Sequence, residues 1–414
     1  MQTIPCVLDT RQTFGKSKHK FLYRCYPDDK SEPILVPFEI PPQFQKKRSA
    51  YYVLVAGGKL MHNIGEVDVP AHYYEYLLHC KKLNVSQRSF NQIVLSKIPS
   101  FSLDKLPVRD AKVFTIDGES SIDLDDGFSI DDEKVSVYIS CVPYVINQLG
   151  VWEYMTSRIS TIYFPDKRHP MLPGFLSTMC SLNEGTFRAC LVLDLFHDGS
   201  TNWSVCSVKI HKNYTYETVE GSDYKALLQK SGTSNSHDLV HHYMTRYNTL
   251  AASILSKGIY LNIHKPETLP AEWLPIYFNQ YSYYDVTGEY AQMTSPIRRL
   301  VDILNMMQLT RQLGFEYNDN GFYDQWYYKI DIINTSYRTI RKAQNTAKLL
   351  DLFEQNNHQV FEGIVWEQKV YLKEVGLLVP YKNELKECSI HRFMIYVFHD
   401  EAHLKRKVRI QIVE

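Results

Sequence analysis

Short runs of hydrophobic positions, interrupted by polar and turn-forming residues, dominate the first quarter of the chain. The β-prone runs Phe21–Cys25, Pro33–Ile40 and Tyr51–Ala56 are separated by Pro, Asp and Gly residues, which is typical of short antiparallel strands. The spacing changes to a helical pattern at His72–Leu83. Residues 1–100 therefore predict a small β-barrel followed by a helix.

The central region, about 113–355, mixes strand and helix periodicities. Lys134–Ser140 alternates valine and isoleucine with polar residues, which predicts a half-buried strand. His237–Lys257 has an apolar face at helical spacing and Gly258 stands where it would end. A second helical pattern runs from about Asp324 to Gln355. This region is interpreted as a mixed α/β domain.

Strand patterns return in the last 59 residues of the 414-residue chain. They lie at Gly363–Trp366, Val370–Leu372, Leu377–Pro380, Phe393–Phe398 and Val408–Ile412. The predicted fold class is α+β, with a central mixed α/β domain between two small barrels of the OB type. The predicted domain limits are 1–100, 101–355 and 356–414.

The composition of the chain limits the classes of function that it can have. The formal net charge is zero, so the chain does not have the overall positive charge of a protein that coats nucleic acid. Any binding to nucleic acid therefore needs local basic patches. No apolar run approaches the roughly 20 residues of a membrane span, and Met1–Phe14 has no leader-like run. Eight cysteines occur without a CxxC pair, which indicates neither zinc nor a disulfide framework. We expect an intracellular protein, in the cytoplasm, that acts as a monomer.

The densest chemical pattern is an acidic cluster in TIDGESSIDLDDG. Asp117, Asp123, Asp125 and Asp126 lie within ten residues, together with Glu119. Like charges packed this closely are costly unless a cation neutralises them. Magnesium prefers carboxylate oxygens and shares its remaining positions with water and phosphate. The four aspartates are therefore predicted to bind Mg²⁺, for which Mn²⁺ substitutes.

The cluster has other possible interpretations. A calcium-binding EF-hand loop with Gly127 at position 6 and Glu133 at position 12 would need acidic residues at Ile122 and Leu124, so that interpretation fails. A solvated acidic turn without a ligand remains open. A calcium-binding β-protein is a third, more remote alternative.

The second pattern is TSPIRR at residues 294–299. Ser295 suits a helix N-cap and Pro296 a first helical position. The free amides of such a helix start favour an anion, and Arg298 and Arg299 would add positive charge there. Asp302, four residues after Arg298, is expected to hold that arginine. An ordinary capped helix with surface arginines is the alternative.

The two patterns, in this order, resemble the ribonuclease II / ribonuclease R family and its exosome-nuclease branch. The likeness continues between them in Tyr163-Phe164-Pro165, His169–Pro173, Leu176-Ser177 and Cys180–Arg188. It covers nearly the whole chain, which would be a compact member with one cold-shock-type barrel, an RNB catalytic domain and a terminal OB barrel.

The resemblance implies a single-strand-specific, hydrolytic 3′→5′ exoribonuclease that releases nucleoside 5′-monophosphates. The four aspartates would hold magnesium, Arg298 would hold the scissile phosphate, Tyr163 would stack on a terminal base, and Arg299 would also contact the substrate. Single-stranded RNA is the expected partner. Helicase or RNA-decay proteins would suit such a chain, but no motif identifies one.

Several positions depart from the family pattern. Histidines stand at 241 and 242 in place of glutamates. The other departures are Asn262, Met306-Met307, Ala347-Lys348 and a shortened segment between Thr218 and His237. They lie outside the aspartate cluster, so they bear on rate and selectivity. The alternative function is an RNB-fold protein with weakened catalysis that binds RNA and regulates it.

Overall fold

The protein is described by a computed structural model over residues 3–39, 49–155, 158–263, 282–355, 359–366, 368–381, 385–400 and 405–413. In these ranges no helix combines the length and the apolar character needed to span a bilayer. Two compact units are present. One comprises residues 1–85, 163–168 and 338–414, and the other comprises residues 86–162 and 169–337.

The N-terminal elements form a six-stranded antiparallel sheet in the order β2-β3-β1-β5-β6, with β4 paired to β3. Their bounds are β1 Ile4–Asp9, β2 Lys16–Ser17, β3 Lys20–Pro27, β4 Ile34–Phe38, β5 Ala50–Ala56, β6 Lys59–Glu66 and α1 Pro70–Cys80. Cys6, Leu8, Val53 and Val55 alternate with residues of the opposite face and build one core. The predicted strands and the helix after them are confirmed.

The central elements occupy residues 88–355. The strands are β7 Val108–Asp117, β8 Asp126–Ile130, β9 Lys134–Ser140, β10 Ile162–Tyr163, β11 Arg168–His169, β12 Phe187–Phe196, β13 Thr201–Thr215, β14 Tyr260–Ile263 and β15 Ser282–Asp285. The helices are α2 Arg88–Lys97, α3 Val142–Leu149, α4 Gly174–Cys180, α5 Ser222–Ser231, α6 Ser236–Ile254, α7 Leu300–Gln312, α8 Phe322–Tyr327 and α9 Ile330–Gln355.

A closed barrel of five strands, β12-β13-β7-β8-β9, organises this region. Only β13 and β7 pair in parallel. Its strands have apolar cores on both faces, so β9 is buried almost throughout. The prediction of a half-buried strand at Lys134–Ser140 was wrong, because its serines and Tyr138 also face a packed core, where Tyr138 hydrogen-bonds Ser129.

Two predicted helices need correction at their ends. The pattern from Asp324 to Gln355 forms two helices, since α8 ends at Tyr327 and α9 begins at Ile330. Helix α6 ends at Ile254, before Gly258, because Leu255 is extended (ψ 120°). Its N-cap is Asn235, whose side chain accepts the N–H of Asp238.

The C-terminal strands form a five-stranded antiparallel sheet in the order β18-β17-β16-β19-β20. They are β16 Val360–Trp366, β17 Lys369–Leu372, β18 Leu377–Pro380, β19 Ile390–Asp400 and β20 Lys405–Val413. Their core, centred on Phe361, Val370 and Phe393, also receives Phe353 of α9. The α+β class is confirmed, while the domain limits at 100 and 355 remain predictions.

A polar network lies within the barrel. Asp194 of β12 receives hydrogen bonds from the guanidinium of Arg109 (2.6 Å) and the hydroxyl of Ser136 (2.6 Å), and Lys134 Nζ lies 3.3 Å away. Burial alone would raise the pKa of Asp194, but these hydrogen bonds and charges outweigh burial and hold the pKa below its usual value. The ionised form of Asp194 therefore stabilises the fold.

We expect Asp194→Asn to lower the free energy of unfolding at pH 7 by about 2 kcal/mol, because Arg109 loses its charged partner. Because the pKa of Asp194 is lower in the folded protein than in the unfolded chain, where it is about 3.9, ionised Asp194 stabilises the fold at pH values above that unfolded pKa. This stabilisation is lost as the pH falls through the lower pKa of the folded protein. Urea denaturation should therefore show a smaller difference at pH 3. Equal differences at both pH values would contradict this account, and Asp132→Asn at an exposed position is the control.

Candidate active site

The acidic cluster occupies the connection between two barrel strands. Asp117 is the last residue of β7 and Asp126 the first of β8. A side-chain Cβ at Gly127 would lie 3.1 Å from Val113 Cγ1 and 3.2 Å from the Phe114 carbonyl oxygen. Glycine at 127 thus lets β8 approach β7 closely, directly beside Asp126. The barrel therefore brings both ends of the cluster to one edge.

Residues of α4 and of the turn after it fix the loop between these aspartates. The Ser181 hydroxyl accepts the Leu124 N–H (3.0 Å) and donates to the Ile122 carbonyl (3.1 Å). The Ser177 hydroxyl donates to Asp123 Oδ1 at 2.6 Å. Ser177 and Ser181 are both buried. They hold the loop in place, so the cluster is a built site and the open alternative of a solvated turn is disfavoured.

Burial dominates the electrostatics of three of the aspartates. It raises the pKa of Asp117 to about 6, against the opposing effects of a Thr115 hydrogen bond and the Arg298 charge. It raises the pKa of Asp125 to about 7, although Arg298 and the Ile297 N–H favour its charged form. Burial and the neighbouring Asp117 and Asp125 carboxylates raise the pKa of Asp126 well above its usual value. The cluster is thus short of positive charge.

The TSPIRR segment forms a turn, so the prediction of a helix capped by Ser295 was wrong. The Ser295 carbonyl accepts the N–H groups of both Arg298 and Arg299. Arg299 is extended (φ −140°, ψ 126°) and bridges Ser160, and α7 begins only at Leu300. The Arg298 carbonyl accepts the Thr161 N–H (3.0 Å). This strand-like pairing prevents a helical conformation until residue 300.

The structure pairs Asp302 with Arg299, not with Arg298 as predicted. Asp302, fully buried, accepts both the Ser295 N–H (2.7 Å) and the Arg299 guanidinium (2.8 Å). Arg298 Nε lies 3.5 Å from Asp125 Oδ2, and the other oxygen of Asp125 accepts the Ile297 N–H at 2.9 Å. The expectation that Asp302 holds Arg298 is therefore corrected. The Arg298 side chain is 47% exposed beside the aspartates, whereas Arg299 is 17% exposed.

Buried asparagines hold the segment before this turn. Asn248 of α6 donates to the Tyr290 hydroxyl (2.9 Å) and accepts the Met293 N–H (2.9 Å). Asn305 of α7 donates to the Gln292 carbonyl (2.9 Å) and the Ile259 carbonyl (2.8 Å). These bonds satisfy backbone groups that the irregular segment would otherwise leave unpaired. The turn is consequently fixed from several elements at once.

Sequence reasoning missed Tyr216 and His237, which lie beside the cluster. The Tyr216 N–H donates to the Asp117 carbonyl (3.0 Å). Its ring stacks on His237, with centroids 3.8 Å apart and planes 16° apart. Burial, and then the charges of Asp126 and Asp117, raise the pKa of Tyr216. No motif spacing in the sequence connects residue 216 to residue 117, so only the fold could identify this neighbour.

Tyr163, the predicted base-stacking residue, belongs to the other compact unit. Its side chain is 46% exposed, and its N–H donates to Gln344 Oε1 at 2.9 Å. The exposed ring suits a stacking role, which remains a prediction.

The donor chemistry of the cluster fits a divalent cation. Asp117 and Asp126 each keep one buried carboxylate oxygen, Oδ2, without a hydrogen-bond partner, a costly state that a cation would relieve. Over the described ranges, however, no three His, Cys, Asp or Glu side chains converge as a ready-made metal site. The residues suit a hard cation in type and charge, and the magnesium assignment stays a prediction.

Fold and site together define a mixed α/β protein with a buried acidic cluster beside an arginine-bearing turn. Residues 106–255 match the model of the RNB domain. Ribonuclease R of Mycoplasmopsis pulmonis is 37% identical over 101 residues, which are 23% of this chain and 14% of that protein. Exoribonuclease 2 of Aeromonas hydrophila is 27% identical over 153 residues, 33% of this chain and 23% of that protein. The part of the chain at residues 106–255 is therefore similar to an RNB domain.

The matched segments thus span less than a quarter of these relatives. Solved structures show a similarity in fold that covers nearly the whole chain. Mycoplasma genitalium ribonuclease R, in complex with ribose-methylated single-stranded RNA, aligns over 99% of this chain and 90% of its own with a TM-score of 0.71 and 15% identity. Yeast Ssd1, a pseudonuclease, aligns over 92% of this chain and 65% of its own with a TM-score of 0.60 and 12% identity. The fold is that of an RNB domain with OB-type β-domains.

Proposed function

We propose that the protein is a divalent-metal-dependent ribonuclease that removes nucleotides from the 3′ end of single-stranded RNA. The observation that carries the proposal is the juxtaposition of a half-exposed Arg298 with buried aspartates, two of which keep an unpartnered carboxylate oxygen. Such a site can accept a cation and a phosphate side by side.

Each residue has a distinct role in this proposal. Asp117, Asp123, Asp125 and Asp126 would hold Mg²⁺, or Mn²⁺ in its place. A bound cation would supply Lewis acidity toward a phosphodiester and an acidified water. Arg298 would bind the phosphate and balance its developing negative charge. Arg298 Nε lies 3.5 Å from Asp125 Oδ2 and its Nη2 donates to the Ser295 hydroxyl (3.1 Å), so the guanidinium is held beside the aspartates.

Arg299 has a different role from the substrate contact expected of it. The Arg299 side chain is only 17% exposed and is paired with the buried Asp302. We therefore propose that Arg299 positions the turn and that Arg298 alone contacts the phosphate. Tyr163 would stack on a base, a contact that tolerates any sequence. The names of the relatives, ribonuclease R and exoribonuclease 2, support RNA as substrate and removal from an end.

The proposal is tested with 5′-labelled single-stranded RNA, DNA of the same sequence and duplexes with or without a 3′ overhang. We expect magnesium to support stepwise shortening of the RNA from its 3′ end, with release of nucleoside 5′-monophosphates, and we expect EDTA to stop it. Manganese should restore activity. Unchanged RNA, with no difference between magnesium and EDTA, would refute the proposal.

A second function has specific support. The departures from the family pattern, histidines at 241 and 242 and Ala347-Lys348 near the end of α9, suit a weakened nuclease that binds RNA and regulates it. That the fold also aligns with a pseudonuclease is compatible with this reading. Tight RNA binding without nucleotide release in magnesium, manganese and calcium would favour the second function over the first.

A further inference from the structure

A groove along the exposed side of α6 is not used by the proposed chemistry. It is an open groove of about 720 Å³ between α6 and the turn that joins α5 to α6. The α5–α6 turn borders it because α5 ends at Gly232 in a left-handed conformation (φ 69°), which a residue with a side chain adopts only with strain.

The side chains that line the groove are mainly basic or hydroxyl-bearing. His242 and Arg246 lie four residues apart on one side of α6, and His241 also borders the groove. Asp238 is the single carboxylate among the lining residues, and Asn235 Nδ2 donates to its Oδ2 at 2.7 Å. The groove therefore has an excess of hydrogen-bond donors that suit an anion.

The neighbouring positive charges disfavour the charged form of His242. Burial lowers the pKa of His242, and the neighbouring Arg246 and His241 charges lower it further. An anion in the groove would remove this repulsion. Thr245, Thr249 and Leu250 add methyl groups to the lining, so the groove offers an apolar wall beside its basic side chains.

The groove is connected to the acidic cluster through the start of α6. The Ser236 hydroxyl donates to the Tyr216 carbonyl (2.8 Å), and the Tyr216 N–H donates to the Asp117 carbonyl (3.0 Å). Arg246 follows ten residues later, about 15 Å along the helix axis. The groove thus lies outside the cluster but within the span of a few nucleotides.

We propose that this groove binds a nucleotide, with its phosphate on His242 and Arg246 and its base against the apolar wall. The choice of a nucleotide as ligand rests on the proposed nuclease function. The nucleotide could come from two sources, a released nucleoside 5′-monophosphate or one nucleotide of an RNA strand. Their phosphate accepts charged hydrogen bonds in either case.

The test measures adenosine 5′-monophosphate binding to the full chain by equilibrium dialysis in EDTA. An Arg298→Gln background removes the phosphate contact of the acidic cluster, so the remaining binding reports on the groove. We expect the added pair His242→Gln/Arg246→Gln to weaken binding about tenfold or more, the loss that follows from a missing charged hydrogen bond. Lys225→Gln, at an exposed position on α5, removes the same type of charge elsewhere and should change little.

A second measurement with an eight-nucleotide single strand identifies the source. Parallel losses for both ligands would place an RNA nucleotide in the groove, and a loss for the monophosphate alone would place the released product there. Unchanged monophosphate binding, absent binding in the Arg298→Gln background, or an equal loss in Lys225→Gln would overturn the proposal. If the unmodified chain degrades no RNA but binding of the monophosphate still depends on Arg246, the nuclease proposal fails and the proposal for the groove is retained.

Discussion

Replacing Asp125 with asparagine is expected to lower RNA turnover on the order of 10³-fold or more while RNA binding persists. Asp125 is 3% exposed, and its Oδ1 accepts the Ile297 N–H. Asparagine has nearly the same shape and keeps an oxygen for that hydrogen bond. What it removes is the negative charge that a divalent cation needs. The backbone of the turn should stay in place, while Arg298 loses the attraction of Asp125 Oδ2, which lies 3.5 Å from its Nε.

The measurement pairs single-turnover cleavage of labelled RNA in magnesium with an affinity measured in EDTA. Asp132→Asn is the matched control, because Asp132 is exposed on the turn between β8 and β9 and loses the same charge. Retained turnover in Asp125→Asn would remove Asp125 from the proposed metal site. Loss of both turnover and the folded state would be visible in the unfolding transition and would assign Asp125 a structural role.

Replacing Asp302 with asparagine is expected to lower the free energy of unfolding by about 3 to 5 kcal/mol, because a buried charge loses its partner. Asp302 is fully buried, and it holds Arg299 and the Ser295 N–H on one oxygen. Asparagine still accepts the backbone N–H, so the loss comes mainly from the uncompensated Arg299. Turnover should also fall, since the turn that carries Arg298 is anchored by this pair.

The double variant Arg299→Met/Asp302→Asn separates these two effects. Methionine approximates the arginine stem without its charge, so most of the lost stability should return. Denaturant titration measures this recovery, and cleavage assays on the same samples show whether Arg298 is positioned again. If the double variant is as unstable as Asp302→Asn alone, the ion pair is not the source of the loss. If it is stable and cleaves RNA normally, Arg299 has neither a substrate contact nor a positioning role.

Much of the architecture could be predicted from local patterns. Runs such as Tyr51–Ala56 and Leu377–Pro380 form strands where short β-prone runs indicated them. Prediction failed where tertiary contacts override local preference. Ser295-Pro296 favours a helix start, yet the chain makes a single turn there and residues 298 and 299 then pair with Thr161 and Ser160, so α7 begins only at Leu300. The serines of β9 read as solvent-facing, yet the barrel closes over them.

The sequence by itself determined the elements, the concentration of four aspartates and the presence of an arginine-rich turn, because these depend on neighbours in the chain. Only the tertiary structure decided which charges meet. It paired Arg298 with Asp125 and Arg299 with Asp302, brought Tyr216 to Asp117, and left one carboxylate oxygen each of Asp117 and Asp126 buried without a partner. Such pairings join residues up to 173 positions apart, and their energies depend on burial and distance, which no local pattern specifies.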